Sequence, residues 1–359
     1  MKNLALFILM CAVVVLGTGA SAAQPAPPPP SQPIPVPPST QAVPPPQPTF
    51  ESSPPEASPA VQKYWKFHKM AAIGYRRDRQ SFVESQSRLD IKNRNSMMLM
   101  VTSHIEWRWL ILRTRGSYGW LINGNADFNF PINPLNEPLS FKGYDLGAGY
   151  TADAQGTLGF TWKLYDAPSF GFSFIPGAGY RYSHMMNDLS GEKQSTVQAS
   201  PSFARVRFPR PNQQDWFGPF VEGRIEFRFA EKAMWDLYYQ YHFLDLRSKN
   251  RMDLDAYLYD PVFTLQQAIL SQSNSWIHSD SARTQLGGTT IRVHLESGWT
   301  FGLFFEGSST WTKSGSLLVK KMTERVFPTP IEVTNERLRT PMAVQWVNYS
   351  LSLFMGYKF

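Results

Sequence analysis

Charged side chains of both signs recur at every second position through much of the chain, most clearly at Glu222, Arg224, Glu226 and Arg228. That spacing puts them on one face of a strand. A face so lined either recognises ions, as rings of charge do in channels, or neutralises itself as a ladder of salt bridges. The same phase adds Glu106, Arg113, Arg115, Lys163, Arg181, Asp236, His242, Arg292, Glu296 and Glu306. Because the signs are interspersed, the ladder is the favoured reading. An excess of basic groups would make any residual pore mildly anion-preferring. Asp153 shares the face without an evident partner and reads as solvated near a mouth. The histidines are scattered and the single cysteine, Cys11, lies in an apolar N-terminal run, so neither a metal site nor a cofactor is expected. Gly177-Ala178-Gly179 and Gly287-Gly288 sit inside alternating segments rather than between strand and helix, which removes a phosphate-loop reading.

The elements that must carry this face are strands. Val347, Tyr349, Leu351, Leu353, Met355, Tyr357 and Phe359 alternate with a mostly polar set. Phe217 to Phe229, Leu146 to Leu164, Trp235 to Phe243 and Ile291 to Trp299 repeat the pattern. A soluble sandwich also alternates, but it turns its charged face outward and keeps strands to about 5–6 residues. Several runs here exceed that length, which suits strands that cross lipid at a tilt. Within hydrocarbon only a closed sheet satisfies every backbone N–H and C=O. The fold class is therefore all-β, a closed antiparallel transmembrane barrel of ten strands within a range of eight to twelve. The expected strands are about 67–84, 95–107, 108–121, 144–165, 170–186, 214–229, 233–246, 285–299, 300–313 and 345–359. Short connections alternate with long ones near 122–143, 187–214, 247–284 and 314–344, as periplasmic turns alternate with surface loops. Trp107, Trp120, Trp162, Trp216, Trp235, Trp299, Trp311 and Trp346 read as interfacial girdles.

Composition agrees with this class. In 359 residues, aromatics reach 14% and charged residues only 18%, and mean hydropathy is −0.30. No stretch beyond the N-terminus approaches the roughly 18 apolar residues of a spanning helix. Residues 1–23 have the basic start, apolar run and small-residue site of a signal peptide. Residues 24–60 hold sixteen of the 29 prolines and should form a disordered, extended polyproline spacer in the periplasm. Residues 61–359 are the barrel, and the cell outer membrane is the expected location.

The chain resembles the omptin family of ten-stranded outer-membrane barrels from about Ser87 to Phe359. The segments that carry the likeness are Ser87-Arg88-Leu89-Asp90 through Ile105-Glu106-Trp107, Pro176-Gly177-Ala178-Gly179-Tyr180, and Val347-Asn348-Tyr349 through Gly356-Tyr357-Lys358-Phe359. It is also similar in character to the outer-membrane porins of chlamydia-like bacteria. Omptins activate water between an Asp-x-Asp pair and an Asp-x-His pair, an imidazole taking the proton while acids orient it. Here the first pair reads Asn125-Ala126-Asp127, Asp245 to Asp255 contains no histidine, and His278-Ser279-Asp280 runs in the reverse order. The matched catalytic set is therefore none, and an omptin-type endopeptidase stands as the alternative.

The function expected is an integral outer-membrane barrel with a porin-like or structural and surface-interaction role. The set Tyr349, Leu351, Leu353, Met355, Tyr357 and Phe359 reads as the C-terminal sorting signal for the barrel assembly machinery. Other expected partners are outer-membrane lipid and lipopolysaccharide, and a host or cell-surface ligand or adhesin target for loop 247–284. That loop carries Tyr257, Leu258, Tyr259, Val262, Phe263, Leu265 and Ile269. No run of Lys or Arg supports nucleic-acid binding despite the formal charge of +7.

Overall fold

The computed structural model describes residues 65–359 apart from 85–86, 133–136, 190–191, 197–202, 231, 260–264, 313, 328–331 and 359. The signal peptide and proline-rich segment therefore lie outside the described residues, as does Phe359. Every described element is a strand: β1 (Trp65–Glu84), β2 (Ser87–Trp107), β3 (Leu110–Ile132), β4 (Glu137–Phe160), β5 (Trp162–Asp166), β6 (Phe170–Leu189), β7 (Glu192–Thr196), β8 (Phe203–Phe229), β9 (Ala233–Tyr259), β10 (Leu265–His294), β11 (Trp299–Thr312), β12 (Ser316–Phe327), β13 (Glu332–Pro341) and β14 (Ala343–Lys358). Ten of them close a ring in the order β1, β2, β3, β4, β6, β8, β9, β10, β11, β14. Closure is completed by β14 on β1, in antiparallel register from His68 opposite Lys358 to Val83 opposite Ala343.

Both described ends of the chain lie at the end of the ring with the short turns. Three of those turns use left-handed backbone, at Arg108 (φ 56°), Ala230 (φ 46°) and Gly298 (φ 85°). Leu295 N–H donates to Trp299 O at 2.8 Å and Gly298 N–H to Leu295 O at 3.0 Å, which closes the last turn.

Outward positions form an apolar belt. On β14, Val347, Tyr349, Leu351, Leu353, Met355 and Tyr357 all face out, Leu353 being 62% exposed. Ten residue steps at about 3.3 Å, tilted by about 40°, give roughly 25 Å of height, the thickness of a lipid-facing band.

The segments expected as long loops are mostly strand. β9 continues to Tyr259 and β10 begins at Leu265, so 247–284 is the far part of a long hairpin. The reason is visible along β9, whose inward parity never changes while its polarity does. Trp235, Leu237, Tyr239 and Phe243 face out and Asp236, Gln240 and His242 face in; then Leu244 and Leu246 face in while Arg247 and Lys249 face out. Past the lipid the outer surface meets water, and the apolar side turns inward as in a soluble sheet.

At this loop end, β10 changes partner. Its residues Ala282 to His294 pair with β11, whereas Ala268 to His278 pair with β12, which is capped by β13. A register irregularity between Ser279 and Ala282 marks the change. Ser279 and Ser281 hydroxyls donate to Ser314 O there, the latter at 2.7 Å.

Candidate functional site

Among the described residues the sequence-selected polar groups converge in the interior, which has two parts. In the loop-end half, Asp78 on β1 accepts from Arg76 Nε and Arg94 Nη1, each at 3.0 Å, and from Trp346 Nε1 at 2.9 Å. Arg76 reaches on to Asp153 at 2.6 Å, which also accepts from Arg181 Nη2 at 3.1 Å. Arg94 Nε donates to Asn187 at 2.6 Å. Gln80 and Gln214 exchange two hydrogen bonds, at 3.0 and 3.1 Å. These amides come from β1 and β8, five places apart in either direction round the ring, so the pair spans the full width of the barrel. Above and beside them Trp216 and Trp346 pack with ring centres 5.6 Å apart, within an apolar cluster that includes Ile91, Phe141, Met185 and Leu246.

In the turn-end half, Glu222 accepts from Arg113 at 2.6 Å, Arg224 at 3.1 Å and Gln240 at 2.5 Å. Arg292 donates to Asp236 at 2.7 Å and to Glu226 at 3.4 Å. Between the halves, Glu306 accepts from Arg115 at 2.5 Å and Tyr238 Oη at 2.7 Å. Gly288 gives the Tyr238 ring room, because a β-carbon there would collide with it; Gly302 does the same for Phe354. Among these groups lies a cavity of about 90 Å³, lined by guanidiniums and carboxylates and by Met70, Met100, Phe304 and Phe354.

Sequence reasoning placed Arg113, Arg115, Arg181, Glu222, Arg224, Glu226, Arg292 and Glu306 on the inner face, and they meet there in ion pairs. Three others do not join them. Lys163 falls on β5, after the wall breaks at Thr161, and its exposed ammonium pairs with Asp166 at 2.8 Å, holding that carboxyl below the usual carboxylate range. Arg228 also meets Asp166 at the rim. Glu296 lies in the turn after His294, 92% exposed near Lys232. Asp153 is a further correction: it is buried between two arginines, not solvated at a mouth. Trp216 and Trp346 are likewise internal, while Trp109, Trp120, Trp162, Trp235 and Trp299 face out. Arg94 falls just before the strand expected from 95. Arg76, Asp78 and Gln80 share their strand with Arg77 and Arg79 on the opposite face, so charge does not mark its inner side, and Gln214 opens its expected strand as an uncharged residue.

The residues aligned with the protease positions are dispersed. His242 is inside the barrel, 3.1 Å from Gln240 and tilted against the Phe220 ring, with centres 4.7 Å apart. Asp127 pairs with Lys92 at 2.7 Å, Asp253 with Arg251 at 3.4 Å, Asp255 with Arg207 at 3.2 Å, and His278 and Asp280 are exposed. Tyr349, Leu351, Leu353, Met355 and Tyr357 all face outward on β14. The surface ligand site expected from Tyr257, Leu258, Tyr259, Val262, Phe263, Leu265 and Ile269 lies outside the described side chains.

A closed ten-stranded ring with an apolar belt and an ionic interior defines an integral outer-membrane β-barrel protein. The chain belongs to the Protochlamydia outer membrane protein family, whose model matches residues 65–359. Among solved structures it is similar to the outer membrane protease OmpT of Escherichia coli, at 10% identity and a TM-score of 0.51, over 82% of this chain and 97% of that one. It is also similar to the toluene transporter TodX of P. putida (7% identity, TM-score 0.29, 82% and 90%) and the outer membrane protein OprG of Pseudomonas aeruginosa (9%, 0.29, 82% and 95%). The first likeness is one of fold, and the other two add nothing to it. No curated protein matches the chain in sequence.

Proposed function

We propose that this barrel is a side-chain-sealed outer-membrane scaffold that carries a surface-interacting β-extension, with no conducting pore in this state. The reading rests on the Gln80–Gln214 pair, which ties opposite walls together across the lumen. Barrels near this size have little interior beyond what side chains fill, and Trp216 with Trp346 closes the space beside the amides. In planar bilayers, purified folded protein is expected to be silent, while a Gln80→Ser/Gln214→Ser/Trp216→Ala variant passes current. Steady conductance from the unaltered protein would overturn the reading.

Surface interaction is assigned to the β9–β10 extension, and removing 250–280 is expected to abolish binding to host cells or matrix. Lipopolysaccharide and other lipid surround the belt, and the assembly machinery reads the outward face of β14. An omptin-type peptidase has less support, since His242 contacts Gln240 and Phe220 rather than an acid; cleavage of dibasic peptides by a lipopolysaccharide-supplemented sample would reverse this. A porin-like role is the second reading, favoured by the cavity in the turn-end half.

A further inference from the structure

Beside neutral polar groups such as Thr102, His104 and Gln155, the turn-end cavity has three kinds of wall. Arg113, Arg115, Arg224 and Arg292 supply guanidiniums, and Glu222, Glu226 and Asp236 supply carboxylates. Glu306, bound to Arg115 from behind, brings the two signs to four each. Met70, Met100, Phe304 and Phe354 form an apolar side.

Hydrogen bonding on the ionic side is incomplete. Arg113 Nη2 and Arg292 Nε have no partner among the described residues, and neither has the acceptor Asp236 Oδ1. Arg292 and Asp236 are among the most deeply buried of these groups, with side chains 6% and 3% exposed. Among the described residues, Glu226 pairs with Arg292 through a 3.4 Å contact. Buried donors and acceptors left open in this way cost free energy until something fills them.

The occupant must suit all three walls. It needs an acceptor for the two guanidinium N–H groups, a donor for Asp236 and Glu226, and an apolar body for the methionines and phenylalanines. It should also carry no net charge, because the four guanidiniums already face carboxylates in similar number, with Glu106 close to Glu226 as well, and a lone ion would be buried uncompensated. The volume, about 90 Å³, holds on the order of three to eight water-sized groups. We infer that the cavity binds a short aliphatic α-amino acid zwitterion. Its carboxylate meets Arg113 and Arg292, its ammonium meets Asp236 and Glu226, and its side chain lies against Met100, Phe304 and Phe354. Entry is from the turn end, the periplasmic side in such barrels, since the Gln80–Gln214 crossing blocks the other. Only this direction of entry rests on the sealed-barrel reading; binding itself does not.

The test is calorimetric titration of folded full-length protein in detergent with L-valine at neutral pH, beside isobutyrate, isobutylamine and isobutanol as probes lacking one or both charges. Saturable valine binding at least tenfold tighter than all three is expected. Arg292→Gln should weaken it at least tenfold. Phe354→Trp, which fills the apolar side and leaves every charge in place, should abolish it, with retained heat-modifiable gel mobility showing that each variant folds. Absence of valine binding up to 10 mM, equal binding of isobutyrate, or full binding by folded Phe354→Trp would each overturn the inference. The conductance experiment is independent: a silent barrel that binds no valine sinks this inference alone, and a conducting barrel that binds valine sinks only the seal.

Discussion

The two halves of the interior are walled largely by the same strands yet are packed on different rules. Towards the loops, charged groups are embedded in a hydrocarbon cluster, so Asp78 with its three donors sits beside Trp216, Trp346 and Leu246. Towards the turns, charges dominate, packing is looser and a cavity remains. The difference follows from what lies outside. Where the outer face meets lipid, apolar residues are used up on the exterior and the interior inherits the polar ones; where it meets water, the interior can take the apolar ones. One half is therefore built as a soluble core and the other as an ionic filling.

That contrast can be broken most severely from the apolar side. Trp216→Ala removes a fully buried ring from the loop-end cluster and should cost about 3–5 kcal/mol, read from denaturant unfolding of the folded protein in detergent micelles. A loss below about 1 kcal/mol would show that this half is not packed as a core. Next in size, Leu353→Arg puts a charge in the lipid-facing belt and should cost about 2–4 kcal/mol. The same change at outward Gln345, two residues past Val347 and beyond the belt, should be near neutral, and equal penalties at the two sites would move the membrane boundary. The smallest effect is expected at the ionic filling. Glu306→Gln retains a hydrogen-bonding group towards Arg115 and Tyr238 and should cost about 1–3 kcal/mol, less than Trp216→Ala in the same assay.

Much of the architecture was legible because the lipid imposes one rule over the whole belt. From Trp235 to Phe243 or Val347 to Tyr357, period two with the apolar side out is written without interruption. The same rule hid the rest. A reading tuned to apolar-out strands ends β9 at about 246, where the sides exchange polarity, although the strand runs on to Tyr259. The partners of Asp153 are invisible to sequence proximity, since Arg76 lies 77 positions away and Arg181 28. Lys163 was assigned inward because nothing in Thr161 announces that the wall changes strand there. Trp216 and Trp346 fit a girdle by position, and only their parity distinguishes an internal ring from an interfacial one.

The forked edge of β10 has a consequence for how such a molecule can change over time. Because β11 pairs with both β10 and β14, the circuit of backbone bonds is complete without the β12–β13 hairpin. Excising that hairpin would strip hydrogen-bond partners only from the Ala268–His278 stretch of β10. Apart from Leu317, which packs into the loop-end cluster, it is thus an exchangeable appendage, free to be lengthened, trimmed or replaced by foreign sequence while the girdling ring keeps its shape.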